Sequence, residues 1–437
     1  MTDAPDENLD ATLEDEAGDE PGDDAPVATP LTEPAGGVPD IIDTPEALAA
    51  ACEAFAVGTG PVAADAERAS GFRYGQTTYL AQFKREGAGI ALIDTAALPD
   101  LSAFGEALGD AEWVFHAASQ DLPGMRELGM NPAKVFDTEL AARIMGWPKV
   151  GLAAVVEREL GFALAKEHSA QDWSQRPLPH AWLVYAALDV EVLLDLRDGL
   201  HRHLTAAGKL EWAEQEFEAV RLAPPPEPRV DPWRRTSGSH QVRDQRGLAI
   251  VKALWEARDA EAQRRDVSPG RVLRDQAIVA AAQAKPDSLE ALLAVREFQS
   301  KGTRRRAAQW YAAVEEAMAL GERRLPARRA PQGDGPPQQR MWKDKRPEAF
   351  ARLSAAKARI GDLSDRHEVP AENLLQPDAM RRTCWEYPGE GGESWIRSFL
   401  AGRGARAWQI DLTAPALAEA FESAAALTAA ASESQEG

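Results

Sequence analysis

The chain has 437 residues, of which 44% are hydrophobic and 27% are charged, and it contains only two cysteines. These values exclude a collagen, a disulfide-stabilised mini-protein, a membrane-embedded helix bundle and a wholly disordered protein. The 70 acidic and 49 basic residues give a net charge of −21, but 14 of the acidic residues and no lysine or arginine lie in residues 1–44. Beyond that stretch 56 acidic residues face 49 basic ones, so the net charge does not argue against a nucleic-acid partner.

Residues 1–40 are predicted to form a disordered acidic tail, because they are rich in Asp, Glu, Pro and Gly and contain no aromatic residue. The N-terminus lacks the basic and apolar regions of a signal peptide. No apolar run reaches the roughly 18 residues that a membrane span needs. The sequence therefore predicts a cytoplasmic protein with no membrane partner.

Residues 41–222 are predicted to form an α/β domain. A helix start is expected near Asp43, and apolar or alternating runs predict strands at 61–67, 77–83, 89–93 and 113–116. Helical patterns lie between and after these runs, at 100–108, 120–128, 137–146, 151–160 and 180–206. Strands followed by helices that pack on them are typical of an α/β core.

The rest of the chain is predicted to be helical and divided by linkers. Its predicted parts are a proline-rich linker at 223–236, a helical domain at 237–320, a basic Pro- and Gly-rich linker at 321–346, a second helical domain at 347–424 and a disordered tail at 425–437. The two helical segments show a faint duplication at a constant offset of 102 residues. The matched pairs are Val267 with Val369, Val272 with Leu374, Leu273 with Leu375 and Ala277 with Ala379.

Three groups of residues are candidates for chemistry. Asp65 and Glu67 lie two apart in a predicted strand, so their side chains leave the same face. Asp121 follows an apolar strand at the start of a helix, and Tyr185 and Asp189 lie four apart on one helix face. Each group also has an ordinary interpretation, such as a solvated strand end for the first pair or complementation of the helix dipole for Asp121.

Together the four carboxylates and the tyrosine have a more specific interpretation. Mg²⁺ and Mn²⁺ prefer oxygen ligands. Two such ions, about 3.5–4 Å apart, stabilise both the attacking and the leaving oxygen of a phosphoryl displacement. Several convergent carboxylates would be needed to hold them, and a nearby tyrosine could orient the attacking water. Asp137 also lies near these groups, but it is predicted to be a helix N-cap and not a ligand.

The order of these groups resembles the three motifs of the DEDDy 3′–5′ exonucleases: Asp-x-Glu on the first strand, a lone Asp after a His-bearing strand, and Tyr-x-x-x-Asp on a late helix. Further segments resemble the ribonuclease D family in particular, and others resemble the HRDC domain. These segments are 67–82, 136–143 and 172–178 for ribonuclease D, and 254–258 and 269–273 for the HRDC domain.

The resemblance implies a fold and residue roles. The fold would be a ribonuclease H-like exonuclease domain, with a mixed β-sheet flanked by helices, followed by one or two all-α HRDC-like domains. Asp65 would bridge two divalent ions, Glu67 and Asp189 would hold the ion that binds the attacking water, and Asp121 would help to hold the second. Tyr185 would position that water. Ala66 departs from the family pattern, where Thr is expected, which puts contacts at the terminal nucleotide in doubt.

Other residues are candidates for contact with the nucleic acid. They are His116, Arg73, Tyr74, Gln82, Lys166 and Arg176 in the first domain, and Arg271, Arg304 and Arg305 in the first helical segment. Residues 301–346 contain 12 basic and 5 acidic residues, so they would attract phosphates. Packing or surface roles remain open for all nine.

The predicted function is a metal-dependent 3′–5′ exoribonuclease that uses two Mg²⁺ or Mn²⁺ ions and releases nucleoside 5′-monophosphates. The resemblance implies RNA partners with single-stranded 3′ ends, such as tRNA precursors. Two alternatives stay open: the same chemistry on DNA, because no residue that reads the 2′-OH is identified, and a non-catalytic nucleic-acid-binding protein on the same scaffold. An interaction protein that works through its acidic tail is a third.

Overall fold

Strand β3 (Thr59–Arg68) lies inside a six-stranded mixed sheet with the order β2-β5-β4-β3-β6-β7. The computed structural model describes residues 28–164, 168, 170–225, 227–329 and 334–436, with side chains up to residue 427. β3 is antiparallel to β4 and parallel to β6. The other strands of the described residues are β1 Thr29–Leu31, β2 Ile41–Ile42, β4 Thr78–Glu86, β5 Gly89–Asp94, β6 Glu112–Phe115, β7 Lys134–Asp137 and β8 Phe162–Leu164.

Eight α-helices of the described residues accompany this sheet. They are α1 Pro45–Val57, α2 Ser102–Leu108, α3 Ala118–Glu127, α4 Thr138–Ile144, α5 Leu152–Leu160, α6 His180–Glu191, α7 Leu193–Ala206 and α8 Leu210–Leu222. The predicted start of α1 is confirmed: the Thr44 side chain caps the helix by accepting a hydrogen bond from the Ala47 amide over 3.2 Å, and Pro45 follows at the first helical position.

One face of β3 packs on a buried core, which leaves the other face for chemistry. Val62, Ala64 and Ala66 pack with an apolar cluster that includes Phe83 and Phe104. Because strand side chains alternate between faces, Asp65 and Glu67 lie on the opposite face. The predicted α/β domain with a mixed sheet flanked by helices is confirmed.

Two helical segments follow. The first contains α9 Gln245–Arg265, α10 Pro269–Val272, α11 Asp275–Ala284, α12 Leu289–Ala294, α13 Lys301–Arg304 and α14 Ala307–Ala319. The second contains α15 Trp342–Lys345, α16 Pro347–His367, α17 Ala371–Leu374, α18 Pro377–Glu386, α19 Gly392–Ala401 and α20 Ala407–Glu436. Both segments are entirely helical in the described residues.

The helix bounds repeat the offset seen in the sequence. α9, α10 and α11 begin and end 102 residues before α16, α17 and α18, respectively. The residues that end the two long helices, Asp266 and Glu368, are also 102 apart, and both have left-handed backbones with φ of 48° and 50°. The two segments therefore share the same helix–turn–helix–helix arrangement.

Parts of the predicted tails and linkers are wrong. Thr29–Leu31, within the predicted tail 1–40, pairs in parallel with Phe162–Leu164 and so satisfies backbone groups that would otherwise form an open edge. Residues 1–27 of that tail lie outside the described residues. Helix α20 runs through Glu436, into the predicted tail 425–437, where the alanine-rich sequence favours a helix.

The two predicted linkers contain buried anchors. Trp233 in the segment 223–236 is 2% exposed and packs with the core of the first helical segment. Trp342 in the segment 321–346 is fully buried, and its indole donates a hydrogen bond to the Pro337 carbonyl over 2.7 Å. Burial of a large aromatic side chain is strongly stabilising. These segments therefore dock on the helices and are not free spacers.

A search of the helices that the structure describes finds none with the length and apolar character that a membrane crossing requires.

Candidate active site

The first two acidic residues lie on β3. Asp65 lies opposite Gln82 in the β3–β4 ladder, and Glu67 lies opposite Leu80. The Gln82 amide Nε2 donates a hydrogen bond to Asp65 Oδ2 over 2.9 Å. Gln82 is fully buried and Glu67 is 8% exposed. One oxygen of Asp65 is thus fixed by a neutral donor from the neighbouring strand.

Helix α6 carries Tyr185 and Asp189 to the same face of the sheet. Asp189 is 9% exposed, and the Tyr185 phenol hydrogen-bonds to it. The end of α6 is fixed to β4, because Lys84 Nζ donates to the Glu191 backbone carbonyl over 2.9 Å and pairs with the Glu191 carboxylate at 3.0 Å. A cation at a helix C-terminus is favourable for the helix dipole.

Asp121 lies in the first turn of α3 and is 4% exposed. The start of α3 is held by Asp137, whose carboxylate accepts hydrogen bonds from the Ala117 and Ala118 amides over 3.1 and 2.8 Å. The same carboxylate caps α4 by accepting from the Glu139 and Leu140 amides. The predicted N-cap role of Asp137 is confirmed, and its bonds to α3 are a second role that the sequence did not reveal.

The carboxylates converge. Asp65, Glu67 and Asp189 each offer an oxygen, and these oxygens lie within 4.8 Å of one another. Asp121 is close enough for its charge to act on Glu67 and to respond to Asp65 and Asp189. The structure therefore brings together the four acids that the sequence singles out, from one strand, β3, and two helices, α3 and α6.

The electrostatics of this cluster are unfavourable for four bare carboxylates. Burial raises the pKa of Asp65, and burial together with the neighbouring carboxylates raises the pKa values of Glu67, Asp121 and Asp189 well above their usual range. Burial disfavours the charged form, and like charges disfavour it further. Bound hard cations would reverse both effects, and an all-oxygen donor set is what Mg²⁺ and Mn²⁺ prefer. The residues present thus fit divalent metal ions.

Arg68 is the cation that the described structure places beside these acids. Its Nη2 lies 3.6 Å from Asp121 Oδ1, and its Nη1 donates a hydrogen bond to the Gln120 carbonyl. Its charge lowers the pKa values of Asp65, Glu67 and Asp121, although burial and the acids outweigh it. The sequence pattern did not single out Arg68, although the position of Arg68 directly after Glu67 at the end of β3 is a signal of its role.

Tyr185 is enclosed by aromatic rings. The Trp173 ring centroid lies 6.4 Å from the Tyr185 ring, and the His168 centroid lies 6.1 Å from it. Burial and the charges of Asp189, Glu67 and Asp65 raise the pKa of Tyr185 far above its usual range. The phenol therefore stays protonated at neutral pH, so it can orient a water molecule but cannot act as a base.

Three of the predicted nucleic-acid contacts, Gln82, Arg176 and His116, have their partners within the α/β domain itself. Gln82 is fully buried and bonds Asp65, so its predicted contact with the strand is wrong. Arg176 donates to both oxygens of Asp94 and to the Trp173, Gln175 and Tyr79 carbonyls, so its guanidinium holds the loop before α6 and is not free for phosphate. His116 Nδ1 hydrogen-bonds to Thr138 Oγ1 over 2.9 Å, and burial lowers the pKa of His116 to about 4, so the ring is neutral.

The remaining predicted contacts fall into three groups. Arg73, Tyr74 and Arg271 lie where the first helical segment meets the α/β domain, and they make contacts within the protein. Arg304 and Arg305 are exposed, which suits a phosphate-binding surface. Lys166 lies outside the described residues.

Family models match three parts of the chain. A 3′–5′ exonuclease model matches residues 39–205, an HRDC domain model matches residues 247–314, and a model of a 3′ to 5′ exonuclease C-terminal domain matches residues 335–421. The first match contains all five candidate catalytic residues, and the other two cover the helical segments.

Individual proteins are similar over most of the chain. Ribonuclease D of Acidiphilium cryptum is 35% identical over 314 residues, which are 68% of this chain and 77% of that protein. Ribonuclease D of Cronobacter turicensis is 31% identical over 344 residues, 76% of this chain and 87% of that protein. Among solved structures, a protein from Bifidobacterium adolescentis has a TM-score of 0.83 at 39% identity and covers 90% of this chain and 100% of its own. Escherichia coli RNase D, described as an exoribonuclease involved in structured RNA processing, has a TM-score of 0.63 at 28% identity and covers 88% and 98%.

Proposed function

The chain belongs to the ribonuclease D family and is a 3′–5′ exoribonuclease, and we propose that it removes nucleoside 5′-monophosphates from RNA by a two-metal-ion mechanism at the acidic cluster. The observation that carries this proposal is the convergence of Asp65, Glu67 and Asp189, whose carboxylate oxygens lie within 4.8 Å of one another. Four buried acids with one nearby arginine are costly unless cations neutralise them.

The proposed ligands are Asp65, Glu67, Asp121 and Asp189, and the proposed ions are Mg²⁺ or Mn²⁺. When bound, such ions lower the pKa of an attacking water and stabilise charge on the attacking and leaving oxygens of a phosphodiester. Asp65 is the acid whose charge acts on all three of the others: it raises the pKa values of Glu67, Asp121 and Asp189. This central place suits the bridging role that we propose for it.

The chain's own groups would orient the reactants. The Tyr185 hydroxyl donates a hydrogen bond to Asp189. The lone pairs of the Tyr185 oxygen are then left to accept a hydrogen bond from the attacking water. Gln82 occupies one oxygen of Asp65 and so sets the direction of the other. Trp173 packs on Tyr185, with 6.4 Å between the ring centroids, and is itself packed on Trp182 at 5.3 Å.

We propose that the natural substrates are structured RNAs with single-stranded 3′ ends, such as tRNA precursors. The description of the E. coli relative as an exoribonuclease of structured RNA processing supports this. The exposed residues Arg304 and Arg305 of the HRDC segment offer a basic surface on which the body of such an RNA could bind. We further propose that residues 347–424 are a second, degenerate copy of that segment, as the shared helix bounds suggest.

Parallel digestion of matched RNA and DNA tests the substrate. A hairpin with a 12-nucleotide 3′ overhang would be prepared as RNA, as DNA and as RNA that ends in a 3′-phosphate. The account predicts stepwise shortening of the RNA overhang to 5′-monophosphates, with the DNA degraded more slowly and the hairpin stem protected. Equal or faster loss of the DNA would contradict the RNA assignment, and internal cleavage products would contradict the exonuclease.

A further inference from the structure

The first helical segment meets the catalytic domain at a loop that directly follows the acids of β3. This loop, residues 69–77, lies between β3 and β4 and is called the β3–β4 loop below. On the helical side the contact is made by the turn between α9 and α10, residues 266–268, called the α9 turn. The two are joined by polar contacts at successive positions of both.

Asp266 is the centre of this contact. Its Oδ1 accepts a hydrogen bond from the Tyr74 amide over 3.3 Å, and its Oδ2 pairs with Arg73 Nη1 at 3.3 Å. The Ser268 amide donates to the Phe72 carbonyl over 2.9 Å. One carboxylate and one backbone amide of the α9 turn thus fix three consecutive residues of the β3–β4 loop.

Neighbouring residues add to the same contact. Arg271 Nε donates to the Gly71 carbonyl over 2.8 Å, and its guanidinium lies 4.1 Å above the Phe72 ring. The Tyr74 hydroxyl donates to Asp259 Oδ2 over 3.0 Å, and Tyr74 packs against the apolar core of the helical segment. A loop held at so many points is a rigid part of the interface.

The contact continues toward Tyr185. Arg73 Nε donates to Ser174 Oγ over 2.7 Å, and Ser174 Oγ donates in turn to Asp172 Oδ1 over 2.5 Å. Trp173 lies between these two residues in the chain, and its ring packs on Tyr185. A continuous path of direct contacts therefore runs from Asp266 through Arg73 and Ser174 to the aromatic wall of the site.

The second helical segment shows that this turn is a docking element of both copies. Glu368, which is 102 residues after Asp266, has the same left-handed backbone. Its carbonyl accepts a hydrogen bond from Lys209 Nζ over 3.1 Å, and a Cβ placed on Gly146 would lie 2.3 Å from that carbonyl. Both helical segments thus place the same turn against the α/β domain, but among the residues that the structure describes only the α9 turn bonds to the loops beside the acids.

We propose that Asp266 is a positioning residue of the exonuclease: through Arg73 and Ser174 it holds the β3–β4 loop and the loop before α6 in register around the acidic cluster. This inference rests on the proposed function of that cluster. The helical segment would then contribute to the chemical step itself, in addition to any grip on RNA. Displacement of site-forming residues by about 1 Å is enough to slow an enzyme markedly.

The variant that tests this is Asp266→Gly. Glycine adopts the left-handed backbone of residue 266 without strain, so the change removes the carboxylate and leaves the turn intact. The matched control is Asp231→Gly, which removes the same side chain from another left-handed position, φ 51°, where Asp231 bonds only with Trp233 and Arg234 of its own segment among the contacts described.

Both variants and the wild type would be assayed on a trinucleotide and on a 20-nucleotide RNA. We expect Asp266→Gly to lower kcat roughly 3- to 30-fold on both substrates with little change in KM, the range in which positional couplings act. Asp231→Gly should match the wild type. If Asp266 acted only through its negative charge, its removal would favour RNA binding and so improve activity, which is the opposite of the loss expected here.

Hydrogen exchange of peptides that cover 69–77 and 170–177 gives a readout that needs no activity. We expect Asp266→Gly to speed exchange in both. A wild-type kcat in this variant, a rise in KM on the long RNA alone, or unchanged exchange in 170–177 would each overturn the inference. A wild type that degrades no RNA would instead refute the proposed function, and the exchange data would still decide whether Asp266 holds the two loops.

Discussion

Gln82 lies directly opposite Asp65 in the ladder between β3 and β4, and its amide donates a hydrogen bond of 2.9 Å to one oxygen of that acid. The other end of the Gln82 amide, Oε1, is buried without a partner in the protein. A buried amide oxygen without a partner costs stability, and the bond from Gln82 to Asp65 explains why the amide is nevertheless buried there. Gln82 fixes the carboxylate of Asp65 without adding a charge to a cluster that already has four.

The first prediction concerns this bond. Gln82→Met keeps most of the buried volume but removes the donor, so the Asp65 carboxylate gains rotational freedom. We expect the Mn²⁺ concentration for half-maximal activity to rise roughly tenfold, the usual cost of losing a partner that orients a metal ligand. Gln283→Met, at an exposed glutamine of α11, is the control. An unchanged metal requirement in Gln82→Met would show that the bond is only structural.

The second prediction concerns Tyr185. Tyr185→Phe removes the hydroxyl that bonds Asp189 and leaves the ring in its aromatic surroundings. We expect kcat to fall roughly 100-fold or more, within the range for groups that orient or transfer protons in a reaction, while KM and metal affinity stay near wild type. Tyr311→Phe, which removes a hydroxyl that donates to the Asp287 carbonyl, serves as the control in the same steady-state assay. A large loss of metal affinity in Tyr185→Phe would instead assign the residue to ligand placement.

The third prediction concerns the metal-free protein. The charges of the buried acids oppose one another, so Asp189→Asn should relieve repulsion and raise the stability of the metal-free protein. A gain of about 1 kcal/mol would raise the Tm by roughly 2–4 °C for a domain of this size. Mn²⁺ should raise the Tm of the wild type and have less effect on the variant. Calorimetry with EDTA and with Mn²⁺ measures both; a variant that is less stable than wild type in EDTA would contradict the repulsion.

The fourth prediction concerns pH and the loop before α6. Burial alone would raise the pKa of Asp94, but the hydrogen bonds and the charge of Arg176 outweigh burial and lower the pKa below its usual value. A carboxyl whose pKa is depressed in the folded state contributes stability above its unfolded pKa of about 3.9 and loses it as the pH falls through the folded value.

Asp94→Asn should therefore reduce the free energy of unfolding at pH 7 and at pH 5, and the difference from wild type should shrink below about pH 4. Urea unfolding at these pH values measures it. Asp110→Asn, at an exposed carboxylate, is the control. A difference that stays constant down to pH 3 would mean that the Asp94 charge does not contribute.

The sequence predicted the elements whose periodicity is long enough to read. β3, β4, β5 and β6 and the helices from α2 to α5 lie close to their predicted positions, whereas the single helix predicted at 180–206 is divided at Val192 into α6 and α7. The strands β1 and β8 have three residues each, too few to show an alternation, and their pairing joins distant parts of the chain. Trp233 and Trp342 anchor segments whose proline content predicted free linkers, because composition does not reveal which single aromatic side chain finds a pocket.

In the site, too, some residues could be predicted from local spacing and others could not. Spacing alone placed Asp65 with Glu67 and Tyr185 with Asp189, since each pair lies within one element. The role of Gln82 depends on the register between β3 and β4, and the role of Arg176 depends on the approach of β5. Arg73 was predicted to contact RNA, but its partners Ser174 and Asp266 are separated from it by 101 and 193 residues. Such partners are fixed by tertiary packing, which local patterns do not encode.

The most direct test of the account is the digestion of a 5′-labelled RNA with a 3′ overhang by wild-type protein and by Asp189→Asn, each with Mg²⁺, with Mn²⁺ and with EDTA. The account predicts a ladder that shortens from the 3′ end for the wild type with either metal, none with EDTA, and a ladder that is lost or nearly lost in the variant while the RNA stays bound. A ladder that persists in EDTA, or one of unchanged rate in Asp189→Asn, would contradict catalysis by metal ions at the acidic cluster.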